Sequence, residues 1–285
     1  MLTLLDIVKR TTDFFAKHGI ESARLNAELV IAHALGMNRM KIYLQFERPL
    51  TERELEVLRP LVKRRAQREP LAYVLGTAAF GELTLKVDRR VLVPRPETEQ
   101  LVEVVKDTLA GGTPPATVLD LGTGSGALAL ALARTYPDSR VTAVDASEEA
   151  LALARENAVA TGLDARVAFH RSDWFAALAP GERFDLVVAN PPYLTEAEWT
   201  SAQPEVRDHE PRQALVAADG GCADLLRIIA EAPRFLAPGG RLFLETGIDQ
   251  HPRLLEAVTA AGLAEGRSLQ DWSERPRFIA AQAGR

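Results

Sequence analysis

The spacing of hydrophobic residues predicts a helical N-terminal part. Over residues 1–75 the apolar positions recur every three or four residues, as amphipathic helices require. The clearest set is Leu4, Leu5, Val8, Phe14 and Phe15. Ser22 stands where it could cap a second helix, and Thr51 to Glu54 has the sequence of a capping box that begins another. We therefore predict an N-terminal helical domain over residues 1–75.

From residue 76 the apolar spacing changes from helical to alternating, as in a half-buried strand. The alternating positions are Leu83, Leu85, Val87, Val91 and Val93. The polar run Asp88-Arg89-Arg90 interrupts them and predicts a turn. Residues 76–93 are therefore a predicted β-hairpin linker, and a larger domain is expected over residues 94–285.

The larger domain alternates short apolar strands with helices. Strands are predicted at residues 117–121, 141–144 and 167–170 and just before Asn190, and a helix is predicted to follow the candidate cap Ser147. Strands that alternate with helices form mostly parallel sheets, which bind ligands at the carboxyl ends of their strands. Chemistry is therefore expected in the segments that follow these strands.

One such segment is the tetrapeptide Asn190-Pro191-Pro192-Tyr193. Its prolines have no N–H, so the segment presents carbonyl oxygens and the Asn190 side chain, while Tyr193 adds a flat aromatic face. This equipment suits a planar NH2 group, whose two hydrogens need two acceptors. By itself, the tetrapeptide is more typical of a proline-rich strand exit in which Tyr193 packs against the core. The segments upstream favour the binding role.

A glycine-rich turn follows the strand at residues 117–121. Gly122, Gly124 and Gly126 allow backbone torsions closed to other residues and let a ligand approach the main chain. Asp120 precedes the turn, and its carboxylate would repel a pyrophosphate but attract a ligand with an ammonium and a sulfonium, such as S-adenosylmethionine. The series Gly122, Gly124 and Ala127 also fits a dinucleotide site. A dehydrogenase and a purely structural Asp120 are therefore alternatives, although no hydride-transfer residues are evident.

Two further strand ends complete a predicted nucleoside site. Asp145 ends a strand about 20 residues beyond the glycines, where an acid can bind ribose hydroxyls. Asp173 follows the next strand and is placed to accept a hydrogen bond from an adenine amino group. Trp174, beside it, could cover the adenine ring.

Together these motifs resemble class I S-adenosylmethionine-dependent methyltransferases that act on planar nitrogen. Three further segments resemble one family within this class, the PrmC (HemK) family of release factor glutamine methyltransferases. These segments are Val93–Glu99, Glu210–Leu215 and Gly239–Gly247. The resemblance spans nearly the whole chain. Residues 269–277 depart from it, since the family usually has a glycine in this loop and here there is none.

The resemblance implies a Rossmann-like, seven-stranded, mostly parallel sheet with helices on both faces, preceded by a small helical bundle and the hairpin linker. It implies methyl transfer from S-adenosylmethionine to N5 of the glutamine in the Gly-Gly-Gln motif of bacterial class I peptide chain release factors, which the N-terminal helices would dock. The catalytic and substrate-binding residues would be Asn190, Pro191, Pro192 and Tyr193. The cofactor-binding residues would be Asp120, Gly122, Thr123, Gly124, Ser125, Gly126, Asp145, Asp173, Trp174 and Asn190.

Bulk properties narrow the functional classes. The chain has no apolar run near the length of a membrane span, about 18 residues, and its amphipathic N-terminus is not a signal peptide, so we expect a cytoplasmic protein. Cys222 is the only cysteine and the histidines are scattered, which predicts no metal. The net charge of −5 argues against direct nucleic-acid binding, and we expect a monomer.

Two other functions stay open. An amino-methyltransferase acting on adenine or cytosine in nucleic acid would use the same Asn-Pro-Pro-Tyr solution, and a non-catalytic S-adenosylmethionine-binding protein would keep only the cofactor pocket. The basic run Lys63, Arg64, Arg65 and Arg68 is interpreted as a solvated helix face, with a docking patch for an acidic partner as the alternative.

Overall fold

The computed structural model describes residues 2–284 and divides them into two compact units. The helical unit comprises the chain up to Thr77 together with Gln203–His209. The α/β unit comprises Ala78–Ala202 and the chain from Glu210 onward. The short segment Gln203–His209 therefore belongs to the helical unit, although the chain on both sides of it belongs to the α/β unit.

The helical unit contains six helices within the described residues. They are α1 (Leu4–Lys17), α2 (Ala23–Ala34), α3 (Arg39–Leu44), α4 (Glu52–Ala66), α5 (Leu71–Leu75) and, in the separate segment, α10 (Pro204–Arg207). The predicted capping box at Thr51 and Glu54 is confirmed, and Thr3 with Asp6 forms another at the start of α1. Apolar stripes of these helices meet in one core around Leu4, Phe15, Ile31 and Ile42.

Two expectations for this unit were wrong in detail. Ser22 precedes α2, but its backbone is left-handed (φ 49°) and its side chain makes no capping hydrogen bond. The basic run is also not a freely solvated face. Arg65 is buried and donates to Glu205 at 2.8 Å, Arg68 donates to the same carboxylate, and Arg64 binds Glu69. These guanidinium groups bind inside the unit because buried or half-buried charges need partners.

The hairpin is formed by β1 (Thr77–Phe80) and β2 (Leu83–Lys86), so its turn lies at Gly81-Glu82 and not at residues 88–90. Gly81 has a φ of 55°, a conformation that glycine adopts without steric cost. The Asp88 side chain instead accepts from the Arg90 backbone N–H, which makes a local turn outside the hairpin. The predicted resumption of strand at Val91 and Val93 is not found.

The α/β unit is built on a seven-stranded sheet. Its strands are β3 (Thr117–Leu121), β4 (Arg140–Asp145), β5 (Val167–Arg171), β6 (Phe184–Ala189), β7 (Leu236–Glu245), β8 (Ala264–Gln270) and β9 (Pro276–Gln282). The order is β5-β4-β3-β6-β7-β9-β8. The first five of these strands pair in parallel, and β9 pairs antiparallel with both neighbours. The predicted mostly parallel sheet is confirmed.

Helices pack on both faces of the sheet. They are α6 (Pro96–Leu109), α7 (Ala127–Thr135), α8 (Glu148–Thr161), α11 (Ala223–Glu231) and α12 (His251–Ala260). The short helix α9 (Glu196–Ser201) buries none of its residues. Alternate strand residues enter two separate cores: Val118 packs with α6 and α7, whereas Leu119 packs with α11 and α12. This alternation follows from the two-residue period of a strand.

The order of the strands locates the ligand-binding edge. The chain runs from β3 outward to β4 and β5, then returns to the other side of β3 with β6. A crevice forms at such a switch point, outside the carboxyl ends of the two central strands. The Asp120 to Gly126 turn and the Asn190 to Tyr193 segment follow these strands. Among residues 2–284, no helix combines the length and apolar character needed to cross a membrane.

Candidate active site

A cavity of about 290 Å³ lies at this switch point, entirely within the α/β unit. It brings together most of the residues that the sequence predicts for cofactor and substrate. Those that line it are Asp120, Gly122, Thr123, Gly124, Ser125, Asp145, Asp173, Trp174, Asn190 and Pro192. Gly126, Pro191 and Tyr193 do not line it, although each is adjacent in the chain to a residue that does.

The glycine turn has the left-handed backbone that its sequence predicts. Gly122, Gly124 and Gly126 have φ values of 71°, 53° and 84°. The Gly122 N–H donates to the Val144 carbonyl at 2.8 Å, which holds the turn against the end of β4. A Cβ atom at Gly122 would lie 3.2 Å from the Trp174 ring, so this glycine permits the tryptophan to pack closely over the turn.

Asp120 is a buried carboxylate with one free oxygen. Its Oδ2 accepts from the Thr123 hydroxyl at 2.6 Å and from the Ala129 N–H at 3.1 Å. Its Oδ1 is buried and has no hydrogen-bond partner within the described chain. Burial raises the pKa of the carboxyl to about 7. An unpaired buried acceptor in the cavity wall fits a cationic ligand, because a positive group would satisfy the oxygen and stabilise its charge.

Asp145 is held at the end of β4 by backbone N–H groups. Its Oδ2 accepts from Gly124 and its Oδ1 accepts from Ser147, each at 2.9 Å. Burial raises the pKa of this carboxyl, while the backbone hydrogen bonds act in the opposite direction. The predicted helix cap at Ser147 is confirmed, since its hydroxyl accepts from the Ala150 N–H. The aspartate is therefore fixed at the cavity, where its remaining lone pairs can accept from hydroxyl groups.

The predicted adenine-binding pair has partners that the sequence did not indicate. Asp173 forms an ion pair with Arg227 at 2.8 Å, and both side chains are exposed. Trp174 has a φ of 51° and donates its indole N–H to Asp224 at 3.1 Å. Asp224 also lines the cavity. No signal in the sequence near Asp224 or Arg227 indicated these two contacts, because both depend on how α11 packs.

The acceptor tetrapeptide is attached to a buried hydrogen-bond chain. Asn190 donates its Nδ2 to the Thr98 hydroxyl at 2.8 Å, and Thr98 donates to Glu245 Oε2 at 2.7 Å. The Tyr193 hydroxyl donates to Glu245 Oε1 at 3.1 Å. Glu245 is fully buried at the end of β7, and burial raises its pKa to about 7. The Asn190 Oδ1 atom accepts no hydrogen bond from residues 2–284.

Another buried carboxylate, Glu210, joins two of the sequence motifs that indicated the family. Glu210 accepts from the Val93 N–H at 3.2 Å and from the Arg95 guanidinium. Its pKa is raised by burial, although Arg95 acts to lower it. Arg95, from the Val93–Glu99 segment, and Pro211, which follows Glu210, both line the cavity. The Val93–Glu99 and Glu210–Leu215 segments thus form one wall.

Sequence reasoning missed Glu245 and left Thr98 without a role. Both residues lie inside quoted motifs, so position in a motif was the available signal. Their contact could not be inferred, since they are 147 residues apart. Among residues 2–284 there is no group of three or more His, Cys, Asp or Glu side chains arranged to hold a metal ion.

Known proteins resemble both parts of the chain. Residues 6–76 match the family PrmC N-terminal domain, and residues 113–279 match a methyltransferase domain family. The release factor glutamine methyltransferase of Chlorobaculum tepidum is 40% identical over 288 residues, covering 99% of this chain and 97% of that protein. The Escherichia coli protein of the same name is 40% identical, covering 90% of this chain and 91% of its own.

Solved structures resemble the fold. A methyltransferase from Pyrococcus furiosus has a TM-score of 0.55 at 20% identity, and the match covers 78% of this chain and 99% of that one. At this identity the likeness shows a shared fold and does not extend to substrate.

Proposed function

The chain belongs to the family of release factor glutamine methyltransferases, and from this premise we propose which residues carry the reaction. The protein transfers a methyl group from S-adenosylmethionine to the side-chain nitrogen, N5, of the glutamine in the Gly-Gly-Gln motif of bacterial class I release factors. Asn190-Pro191-Pro192-Tyr193 binds the glutamine amide. The observation that carries this assignment is the hydrogen bond from Asn190 Nδ2 to Thr98, which leaves the Asn190 oxygen free to accept.

The cavity residues fit the methyl donor. Bound S-adenosylmethionine supplies an electrophilic methyl group on a positively charged sulfur. The unpaired oxygen of Asp120 accepts from its ammonium group, and Asp145 accepts from its ribose hydroxyls. Asp173 and Trp174 hold the adenine, the first as an acceptor and the second as a flat cover over the ring.

The acceptor residues solve the problem of a weak nucleophile. The lone pair of an amide nitrogen is delocalised into the carbonyl, so the nitrogen must be placed accurately and its developing positive charge must be stabilised. The Asn190 oxygen and the Pro191 carbonyl accept the two amide hydrogens and do both. Neither atom accepts a hydrogen bond from the described part of the chain. Positioning of this kind can supply up to about 7–11 kcal/mol of a bimolecular barrier.

Tyr193 limits how the amide plane can tilt. Its hydroxyl is fixed on Glu245, and the Arg277 guanidinium lies 6.0 Å from its ring centre. Burial and the neighbouring Glu245 raise the pKa of Tyr193, so the hydroxyl remains a donor and is not a base. The methylated nitrogen therefore releases its proton to solvent.

The helical unit serves in docking the release factor, and the protein acts in the cytoplasm as a monomer without binding nucleic acid. The docking role is supported by the match of residues 6–76 to the PrmC N-terminal domain. The absence of a nucleic-acid role is supported by the net charge of −5, since nucleic-acid surfaces are normally basic.

The deciding experiment is methyl transfer from labelled S-adenosylmethionine to a purified bacterial release factor. The control is the same factor with Gln→Ala in its Gly-Gly-Gln motif. We expect label on the intact factor and none on the control. Label on both would show that the methyl group is accepted by another residue of the factor. Label on added DNA or RNA, with none on the factor, would instead support an amino-methyltransferase of nucleic acid.

A further inference from the structure

We propose that Glu245 is a positioning residue which, acting through Thr98, determines which end of the Asn190 amide faces the substrate. This role rests on the proposed function, because Glu245 reaches the substrate only through Asn190. It adds a requirement to that function: the acceptor motif works only while a buried carboxylate outside it directs its hydrogen bonds.

The Asn190 amide has two orientations that differ little in shape. Its oxygen and its NH2 group are similar in size, so packing alone discriminates poorly between them, and the hydrogen-bond partners decide. With the oxygen toward the substrate, Asn190 accepts a glutamine N–H. With the NH2 group toward the substrate, two donors would face each other and the glutamine nitrogen would be excluded.

Glu245 imposes one direction on the chain of hydrogen bonds. An ionised carboxylate can only accept, so Thr98 must donate its single hydroxyl hydrogen to Oε2. The Thr98 oxygen can then only accept from Asn190, which brings the amide nitrogen toward Thr98 and leaves the amide oxygen for the substrate. The other carboxylate oxygen, Oε1, accepts from Tyr193, so one carboxylate holds both side chains of the acceptor motif.

The direction depends on the charge of Glu245. Four neighbours face this carboxyl: Thr98 and Tyr193 donate to it, Arg277 favours its ionised form and Glu97 opposes it. Burial outweighs the favourable contacts and raises the pKa of Glu245 to about 7. Protonated Glu245 could donate to Thr98, which would free the Thr98 hydrogen for the Asn190 oxygen and turn the amide around. Activity should therefore fall as the pH is lowered through about 7.

The central test compares two substitutions of Thr98. Thr98→Val keeps the side-chain shape but removes the hydroxyl, whereas Thr98→Ser keeps the hydroxyl. Thr108→Val is the matched control, because Thr108 lies in the same helix and its hydroxyl donates to the Val104 carbonyl, with no other bond within the described part of the chain. For each variant, kcat and KM for the release factor, calorimetric affinity for S-adenosylmethionine and the thermal unfolding midpoint are measured.

We expect Thr98→Val to lower kcat roughly tenfold or more, with little change in KM or in cofactor affinity. Thr98→Ser should restore most of kcat, and Thr108→Val should leave it unchanged. The proposal is overturned if Thr98→Val keeps the wild-type kcat. It is equally overturned if Thr98→Ser is as poor as Thr98→Val, because shape and not the hydroxyl would then matter.

The pH profile gives a second, independent readout. The wild-type kcat should show an acidic limb near pH 7, and Glu245→Gln should lack it, since an amide does not titrate in this range. A limb that persists unchanged in folded Glu245→Gln would contradict the role of Glu245. If that variant does not fold, the two Thr98 variants still decide.

Asn190→Ala separates failure of this proposal from failure of the proposed function. If Asn190→Ala is inactive while Thr98→Val is fully active, Asn190 binds the substrate but Glu245 does not direct it. If Asn190→Ala retains the wild-type kcat, the assignment of Asn190 as the amide acceptor is itself wrong, and the positioning role is wrong with it.

Discussion

At the scale of single residues, the site relies on carboxylates withdrawn from water. Asp120, Asp145, Glu210 and Glu245 all have a pKa raised by burial. A carboxylate in such a position is costly unless donors or a cation compensate its charge. Each accepts hydrogen bonds from the protein, but one oxygen of Asp120 has no partner among residues 2–284. Because this oxygen is left to be satisfied by a ligand, the ionisation of Asp120 should respond more strongly to a bound cation than that of the other three.

We predict that binding of S-adenosylmethionine releases a proton from Asp120. The pKa of the free carboxyl is about 7, and a bound cation lowers it, so affinity should rise as the pH is raised through about 7. Calorimetric titration near pH 7, in buffers with different ionisation heats, would report the proton. Asp120→Asn should lose the proton release and about tenfold to hundredfold in affinity.

Asp164→Asn, at an exposed position, is the control and should behave as the wild type. Proton release that survives in Asp120→Asn would assign the titrating group elsewhere in the cavity.

Asn190→Asp tests whether the side-chain amide of Asn190, which is proposed to contact the substrate directly, is required. The new carboxylate would face the Thr98 oxygen, whose only hydrogen is already donated to Glu245, so two carboxylates would compete for one hydroxyl. We expect kcat to fall roughly 100-fold or more, while cofactor affinity measured by calorimetry stays close to that of the wild type. Normal turnover by this variant would show that the amide of Asn190 is not required.

Sequence patterns predicted individual residues best where the chemistry is local. The glycine turn, the Ser147 cap and the Thr51 capping box each depend on neighbours within a few positions, and each has its predicted form. The prediction for Ser22 failed because its backbone is left-handed, whereas a capping residue normally has an extended backbone from which its side chain reaches the first N–H groups of the helix. The pairing of Asp173 with Arg227 was likewise beyond local reasoning.

At the scale of elements, hydrophobic patterns located β3, β4 and β5 to within a residue or two and placed the end of β6 just before Asn190, whereas β7 was not predicted as a strand. The hairpin was misplaced because residues 83–93 keep an alternating pattern after the strand pairing has ended at Lys86. The loop at residues 269–277 shows a different limit. Glu274 has a φ of 59°, so this loop adopts a backbone that favours glycine without containing one.

The segment Gln203–His209 gives a prediction at this scale. Glu205 binds Arg65 and Arg68, and Arg65 is buried, so removing the carboxylate would leave a buried charge without its acidic partner. We expect Glu205→Ala to lower the free energy of unfolding of the helical unit by about 3 kcal/mol. Arg65 keeps its bond to Asn26, which limits the loss. Chemical denaturation followed by circular dichroism would measure it.

Arg59→Ala provides the contrasting case in the same unit. Arg59 pairs with Glu52 on the surface, where both side chains are more than half exposed, so its loss should cost less than about 1 kcal/mol. Equal effects of the two substitutions would mean that the Glu205 pair is no stronger than an ordinary surface pair.

At the scale of the whole molecule, the order of the strands in the sheet decides which strand ends become neighbours, and no local sequence pattern predicts this order. It gathers side chains that are far apart in the chain at one edge, including Thr98, Asp120, Asn190 and Glu245. A single sequence indicates that strand ends carry polar residues, but not which ends become neighbours. The family resemblance supplied the fold, and the hydrogen bonds that direct the acceptor became visible only in three dimensions.

The confinement of the cavity to the α/β unit predicts where the cofactor stabilises the molecule. Every residue that lines it lies within 78–202 or beyond residue 209. A ligand at about 100 times its dissociation constant stabilises the state it binds by about 2.7 kcal/mol. Hydrogen exchange should therefore slow at the ends of β3, β4 and β6 on addition of S-adenosylmethionine, while exchange in α1 and α2 stays unchanged. Slower exchange in α1 and α2 would show that cofactor binding also stabilises the helical unit. It would contradict the prediction that the cofactor stabilises the α/β unit alone.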